Sequence, residues 1–123
     1  MSGYDRLRAS YGLTAQVTRS PREIESQLLE LASERLLKAD SIVRRIEAAE
    51  FNRKLWQTMA IDLADPGNSL PDVLRSQMLS IAGAVLRLCE RCRSEAEAVE
   101  SIVEINRSIA RGLSGMPEGR DAA

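Results

Sequence analysis

The segment FNRKLW, residues 51–56, decides how this chain folds. It contains the only phenylalanine and the only tryptophan of the sequence, and it lies in a stretch that reads as helix from about residue 40 to residue 64. Asn52 falls within the apolar stripe of this helix, and Arg53 falls at its edge. A buried amide without a hydrogen-bond partner costs about 1–3 kcal/mol, so Asn52 requires a partner in the core. The apolar members of the stripe are Leu55, Trp56, Met59 and Leu63.

A second Asn-Arg pair occurs near the C-terminus. Asn106 lies near the centre of another apolar helical stripe, and Arg107 lies one step off it. Two helices therefore each present a buried amide followed by an arginine at the edge. We predict that Asn52 and Asn106 are both buried and hydrogen-bond to each other or to one shared backbone segment.

The neighbours of these amides each allow two interpretations. Trp56 is expected in the core, since aromatic side chains dominate core burial; the alternative is a groove where a partner helix docks. Arg53 and Arg107 are expected to form ion pairs or to hydrogen-bond to backbone carbonyls. The alternative for both arginines is contact with a polar segment of a partner.

The composition indicates one all-α domain. The chain has 123 residues, of which 44% are apolar and 3% aromatic, and its net charge of −1 includes no basic block. The charge balance argues against a nucleic-acid-binding protein. No apolar run reaches the about 18 residues of a membrane span, and the N-terminus lacks the apolar region of a signal peptide, so we expect the cytoplasm.

Periodicity and capping signals predict an antiparallel bundle of four main helices, preceded by a short N-terminal helix. Residues 1–19 are expected to form the short helix and a linker, with Tyr4, Leu7 and Tyr11 on its apolar face; the alternative is a frayed tail. The bundle is expected to span residues 20–113. Residues 114–123 lack periodicity and are predicted to be disordered.

Helix boundaries follow from local signals. Residues 20–23, Ser-Pro-Arg-Glu, form a capping box that begins the first main helix. Residues 40–41 either break the helix or lie within a continuous one, and residues 65–69, DPGNS, form a loop. Ser94 is expected to open a second capping box, and Gly112 to end the last helix in a left-handed conformation.

The helix from Pro71 to Arg93 is predicted to have two apolar sides. Small residues beside Leu79 and Leu86 predict a shallow groove that an incoming helix can approach, and Met78 at its border is an adaptable side chain. The alternative is that the N-terminal helix or a second copy of the chain covers this face permanently. The small residues are Ala82, Gly83 and Cys89, and the side expected to face the bundle carries Leu74, Met78, Ile81, Val85 and Leu88.

The sequence offers little catalytic chemistry. It has no histidine, so the commonest general base and metal ligand are both absent. Cys89 and Cys92 have the spacing of a redox pair, but they lie at the end of a helix, where the dipole opposes a thiolate. Zinc would need two further soft ligands. We expect two buried or half-buried thiols, no metal or cofactor site, and no enzymatic activity.

Four motifs in order resemble the FlaF family of flagellar biosynthesis regulators. They are SPRE at residues 20–23, NRKLW at residues 52–56, Leu70-Pro71, and INR at residues 105–107 with Gly112-Leu113, within a match from about Tyr4 to Leu113. The resemblance implies a cytoplasmic factor that binds flagellin, supports its synthesis and export, and acts opposite the translational repressor FlbT. The helical plan is also similar to that of flagellin export chaperones, which is an analogy of architecture.

From this resemblance we expect a flagellin-binding export chaperone that also regulates flagellin synthesis. The main expected partner is a terminal segment of flagellin, which is amphipathic and can lie as a helix in an apolar groove; FlbT is a second candidate partner. The alternative is an RNA-binding post-transcriptional regulator acting on flagellin mRNA, which salt-dependent RNA binding would support. The candidate flagellin-binding residues are Tyr4, Leu7, Tyr11, Met78, Leu79 and Leu86.

Overall fold

The computed structural model describes residues 3–13 and 20–115. Within these residues the chain forms five helices and no strand. The predicted all-α bundle of four main helices with a short N-terminal helix is confirmed. The helices are α1 (Gly3–Ser10), α2 (Pro21–Lys38), α3 (Ile42–Ala64), α4 (Asp72–Arg91) and α5 (Ala96–Ser114).

The beginning of α2 is fixed by the predicted capping box. The backbone amide of Glu23 donates to Oγ of Ser20 at 3.2 Å, and the amide of Ser20 donates to Oε1 of Glu23 at 3.1 Å. Pro21 occupies the first helical position, where its missing N–H is not needed. These contacts fix where the chain enters the bundle.

The chain breaks between α2 and α3. Ala39 leaves helical conformation after Lys38, and Oγ of Ser41 accepts a hydrogen bond of 3.1 Å from the amide of Arg44. A capping serine gives α3 its own N-terminus, because it satisfies an amide that would otherwise be free. Of the two possibilities that the sequence left open here, the break is therefore the one that forms.

The four main helices pack in a closed cycle. Helix α2 packs against α3 and α5, and α4 packs against the same two helices from the other side. Oγ of Ser26 donates to the carbonyl of Ala110 at 3.0 Å, which joins the beginning of α2 to the end of α5 and shows that they run antiparallel. Helix α1 lies outside this cycle, against α3.

Two predicted boundaries of α5 are wrong. The helix begins at Ala96 without a side-chain cap, because Ser94 lies in the turn and the carboxylate of Glu95 bonds to Arg91 at 3.0 and 3.1 Å. Gly112 is an ordinary helical residue, and α5 continues to Ser114. The bundle therefore extends one residue beyond the predicted end, and residues 116–123 of the predicted disordered tail lie outside the described residues.

A left-handed glycine cap, which was predicted for the end of α5, ends α1. Gly12 has a φ of 69°, the amide of Leu13 donates to the carbonyl of Arg8 at 2.8 Å, and the amide of Gly12 donates to the carbonyl of Ala9 at 3.1 Å. These paired bonds define the motif in which a glycine closes a helix and turns the chain away. Helix α1 is consequently short, and the predicted linker, residues 15–19, lies outside the described residues.

Candidate functional site

A network of three side chains joins α2, α3 and α5 in the centre of the bundle. Nδ2 of Asn106 donates to Oδ1 of Asn52 at 2.8 Å, and Nε1 of Trp56 donates to Oδ1 of Asn106 at 2.8 Å. Nδ2 of Asn52 donates to the carbonyls of Ala32 and Ala48 at 3.1 and 2.9 Å. The predicted pairing of the two amides is thus present, and the indole is a third member that the sequence analysis did not foresee.

This network has a structural role inside the core. Asn52, Trp56 and Asn106 are each 0% exposed, so no partner reaches them in the folded chain. A fully satisfied polar network fixes the register of the helices, because any slip would leave a buried amide without its partner. Trp56 is therefore a core residue, and the alternative in which it lines a docking groove does not apply.

The two edge arginines form ion pairs on the surface. Nε of Arg53 donates to Oε1 of Glu50 at 2.9 Å, and this contact holds the pKa of Glu50 below its usual value. Nε of Arg107 lies 3.8 Å from Oε1 of Glu30, which places a charge pair between α5 and α2. Both arginines are partly exposed, and exposed pairs of this kind add little to stability.

Helix α1 and the residue after it pack against a surface of α2 and α3 that includes the aromatic ring of Phe51. The ring of Tyr11 packs edge-on against Phe51 with 4.7 Å between centroids, and the guanidinium of Arg35 lies 4.8 Å from the centroid of Phe51. Leu7 is buried, and a side chain at Gly3 would come within 2.8 Å of Thr58, which shows how closely α1 approaches α3. The three predicted contact residues of α1 thus share one packed face. We call this surface of α2 and α3 the α1 seat.

The α1 seat contains the buried carboxylate of Glu25, which lies beside the hydroxyl of Tyr4 in α1. Glu25 is 6% exposed, and its Oε1 lies 3.8 Å from Nη1 of Arg22. The hydroxyl of Tyr4 is buried and lies beside the carboxylate of Glu25, but their contact lacks the geometry of a well-formed hydrogen bond. Burial raises the pKa of both groups, the nearby Glu25 charge raises that of Tyr4 further, and burial also raises the pKa of Asp62. Helix α1 is therefore held on its seat by a poorly formed polar contact, which stabilises the packing less than a hydrogen bond of good geometry would.

The groove predicted on α4 is wrong, because two of the small residues expected to line it face the core. The buried residues of α4 are Met78, Ala82, Val85 and Cys89, at spacings of four, three and four residues, so this row is the core face. Ala82 and Cys89 thus lie inside the bundle, and Met78 is buried instead of bordering a groove. Leu79 is 36% exposed and Leu86 is half-buried, on one flank of the core face.

The two cysteines are buried thiols. Sγ of Cys92 donates to the carbonyl of Cys89 at 3.3 Å, and burial raises the pKa of Cys89 to about 12. A thiol with this pKa carries almost no thiolate near neutral pH, and a thiolate is what both redox exchange and metal binding require. No group of three metal-binding side chains occurs in residues 3–13 and 20–115.

Two features, one buried and one exposed, were not predicted from the sequence. Glu25 was not singled out, although a carboxylate three residues before Leu28 on an otherwise apolar face is a visible signal. The first turns of α3 also expose Ile42, Val43 and Ile46, which the helical pattern did not mark as unusual. Among the described helices, none combines the length and the apolar character needed to cross a bilayer.

The comparison with protein families places this chain among known proteins. The family described as flagellar protein FlaF matches residues 7–113, which is most of the chain. Neither the curated proteins nor the solved structures contain a significant match. The matched range includes the Asn52–Trp56–Asn106 network and all four main helices up to Leu113. The chain therefore belongs to the FlaF family of flagellar proteins.

Proposed function

We propose that this protein is a cytoplasmic export chaperone that binds a terminal segment of flagellin and regulates flagellin synthesis. Family membership supports a flagellar role. The observation that carries the proposal is the α1 seat, where a short amphipathic helix covers an apolar face of the bundle and its buried hydroxyl makes only a poorly formed contact with Glu25. A helix held in this way can be replaced by a better-fitting one.

The weak hold of α1 follows from its length. An isolated helix of eight residues is not stable in water, because nucleation costs more than so few hydrogen bonds return. Helix α1 therefore depends on the burial of Leu7 and the contact between Tyr11 and Phe51. Segments with few buried contacts open at a smaller free-energy cost than the rest of a fold.

The seat also specifies what can replace α1. Leu7 and Tyr11 follow Tyr4 by three and seven residues, which is one face of a helix, so a replacing helix needs large apolar residues at the same spacing. It also needs a hydrogen-bond donor near Glu25 in place of the Tyr4 hydroxyl, because that carboxylate is buried and is 3.8 Å from Nη1 of Arg22. We expect an amphipathic terminal helix of flagellin to meet the first requirement, and one that carries a lysine, arginine or glutamine near Glu25 to meet the second.

Regulation is part of the same proposal. When flagellin takes the seat, α1 is released, and the released segment distinguishes the loaded protein from the free one. A regulatory partner such as FlbT can then respond to flagellin through α1. Such a response requires only that the partner binds the two states with different affinity.

The experiment is a titration of the purified protein into fluorescently labelled peptides from the two termini of flagellin, followed by anisotropy. Flagellin leader RNA is titrated in parallel at two salt concentrations. We expect saturable binding of one peptide and no salt-dependent RNA binding. Binding of the RNA alone, falling steeply with salt, would instead support the RNA-binding regulator.

Two variants test where on this protein flagellin binds. Leu7→Asp loosens α1 from its seat, and Leu79→Asp places the same charge on α4, where the side chain is already partly exposed. We expect Leu7→Asp to change flagellin affinity and Leu79→Asp to leave it unchanged. The opposite pattern would move the flagellin site to the flank of α4 that carries Leu79 and Leu86.

A further inference from the structure

The α1 seat is acidic at the end that holds Tyr4. The side chain of Glu25 is only 8% exposed there, and Asp62 of α3 lines the same cleft between α1 and α3 as Tyr4. Burial raises the pKa of Tyr4, and the charges of Glu25 and Asp62 raise it further. The charge of Arg22 acts in the opposite direction. Two carboxylates therefore act on this hydroxyl against one guanidinium.

Arg22 does not neutralise this acidic end. Its Nη1 lies 3.8 Å from Oε1 of Glu25, beyond the distance of a good hydrogen bond, and its Nη2 donates to Oγ of Ser69 at 3.3 Å. The guanidinium is thus shared between two neighbours. Burial raises the pKa of Asp62, and the charge of Asp65 raises it further, so a third carboxylate lies nearby. Negative charge is in excess at this end of the seat.

The opposite end of the seat, around Tyr11, is basic. The guanidinium of Arg35 lies 5.6 Å from the centroid of the Tyr11 ring, and Nζ of Lys54 lies 5.9 Å from it. Burial and the charge of Glu50 raise the pKa of Tyr11, whereas Arg53 acts to lower it. Glu50 is in turn paired with both Arg53 and Lys54. Three cations therefore surround one carboxylate at this end.

This polarity fits a helix that runs in the direction of α1. A helix carries partial positive charge at its N-terminus and partial negative charge at its C-terminus. Tyr4 lies in the first turn of α1, at the acidic end, and Tyr11 directly follows the last residue of α1, at the basic end. A helix of the reverse direction would place each of its ends against charge of the same sign.

Two cations line the cleft between α1 and α3 without changing this balance. Arg6 belongs to α1 and leaves with it. Lys54 lies eight residues before Asp62 on α3, which is about 12 Å along the helix axis, and its Nζ is 3.9 Å from Oε2 of Glu50. Once α1 is displaced, the acidic end keeps its two carboxylates beside one guanidinium.

We infer that Glu25 and Asp62 bind a lysine or arginine side chain of the helix that replaces α1. This helix runs in the direction of α1, and its cation precedes two large apolar residues by three and seven positions, the spacing of Tyr4, Leu7 and Tyr11. A charged donor suits the buried carboxylate best, because charge-assisted hydrogen bonds are about twice as strong as neutral ones. The inference rests on the proposed function and adds charge and direction to the apolar spacing that the seat recognises.

The first test places the cation in α1 itself and needs no flagellin. Tyr4→Lys in the full chain should slow amide hydrogen exchange in α1 at least about fivefold relative to Tyr4→Gln, which offers a neutral donor instead. Adding Glu25→Gln to both variants should remove most of this difference. Unchanged exchange of the α5 amides shows that each bundle is folded. Exchange in Tyr4→Lys that is as fast as in Tyr4→Gln would overturn the inference.

The second test uses a fluorescently labelled terminal flagellin peptide that binds the full chain. Replacing its lysine or arginine at the stated spacing by glutamine should weaken binding at least about fivefold. The same replacement at a cation that follows the apolar residues should have little effect. With the Glu25→Gln protein the first replacement should make less than about a twofold difference, and with Asp62→Asn its effect should shrink. Glu104→Gln, at an exposed carboxylate of α5, is the matched control and should behave as the unaltered protein does.

The outcomes separate this inference from the proposed function. A flagellin peptide that binds without a cation at this spacing, or one whose replacement has the same effect with and without Glu25, overturns the cation site and leaves flagellin binding intact. If no flagellin peptide binds, the proposed function fails, and the exchange comparison of Tyr4→Lys with Tyr4→Gln still decides whether the acidic end binds a cation.

Discussion

Asn106 donates a 2.8 Å hydrogen bond to Asn52 across 54 positions of sequence, and this contact ties the last helix to the centre of the fold. The bond places the two amides so that Oδ1 of Asn106 also accepts from the indole of Trp56. Each amide thereby has partners for both its oxygen and its nitrogen. We expect the bundle to tolerate little change at any of these three positions.

Replacing Asn52 by leucine tests the network. The change leaves Nδ2 of Asn106 without an acceptor in a fully buried site, which should lower the free energy of unfolding by about 1–3 kcal/mol. Urea unfolding followed by the signal of Trp56 measures the loss. The Asn106→Leu variant and the double variant complete a cycle, and the double variant should lose less than the sum of the two single changes. A single variant more stable than the unaltered protein would rule out a paired arrangement.

Glu25 should make stability depend on pH. Burial raises its pKa in the folded chain above the unfolded value. A carboxyl of this kind stabilises the fold while it is protonated, below the unfolded pKa, and that contribution is lost as pH rises through the folded pKa. At pH 7 the buried charge therefore has a cost that Glu25→Gln removes, so this variant should be the more stable one at pH 7. The advantage should shrink as pH falls towards about 4.

The control for Glu25 is Glu104→Gln, a change at an exposed glutamate of α5. Urea midpoints at several pH values for both variants give the comparison. The groups that act on Glu25 are Tyr4, Arg22 and Asp62, and all three remain in place in both variants. If Glu25→Gln were less stable than the unaltered protein at pH 7, the contact with Arg22 would outweigh the cost of burial.

The two thiols should be inert in the folded protein. Both cysteines are buried, and the pKa of Cys89 is raised to about 12, so almost no thiolate is available at pH 8. A chromogenic disulfide reagent should therefore label them no faster than the protein unfolds, and should label both quickly in urea. Rapid labelling of one thiol per chain under native conditions would show that the end of α4 opens and would revive a redox role.

The sequence anticipated most of the fold because its strongest signals were local. Apolar spacing located the helices, and the capping box at Ser20 formed as expected because proline and glutamate there agree with one helix start. The hydrogen bond between Asn52 and Asn106 could be predicted from the sequence, because a polar residue in each of two apolar stripes has few other possible partners.

The predicted helix boundaries and faces were wrong where tertiary contacts decided between two structures that the local sequence allowed. Gly112 and Gly12 both follow helical sequence, but the chain turns away only at Gly12, while α5 continues along α2 beyond Gly112. Ser94 does not cap α5 because the backbone amides of Ser94 and Glu95 both bond back to the carbonyl of Arg91, and this turn places the start of the helix at Ala96. The inner face of α4 includes Ala82 and Cys89 beside Met78 and Val85. A prediction guided by the large side chains of Leu74, Ile81 and Leu88 placed the centre of this face too far to one side.

The most direct test of the account compares flagellin affinity of the full chain with that of a chain lacking residues 1–17. The four main helices, their caps and the Asn52–Trp56–Asn106 network all lie outside this segment, so the shortened chain should remain a folded bundle. Circular dichroism and a cooperative urea transition would show that it is folded. If α1 covers the flagellin site at least about nine-tenths of the time, removing it should tighten flagellin binding about tenfold or more. A folded shortened chain that binds flagellin no better than the full chain, or not at all, would contradict the claim that α1 is a replaceable cover.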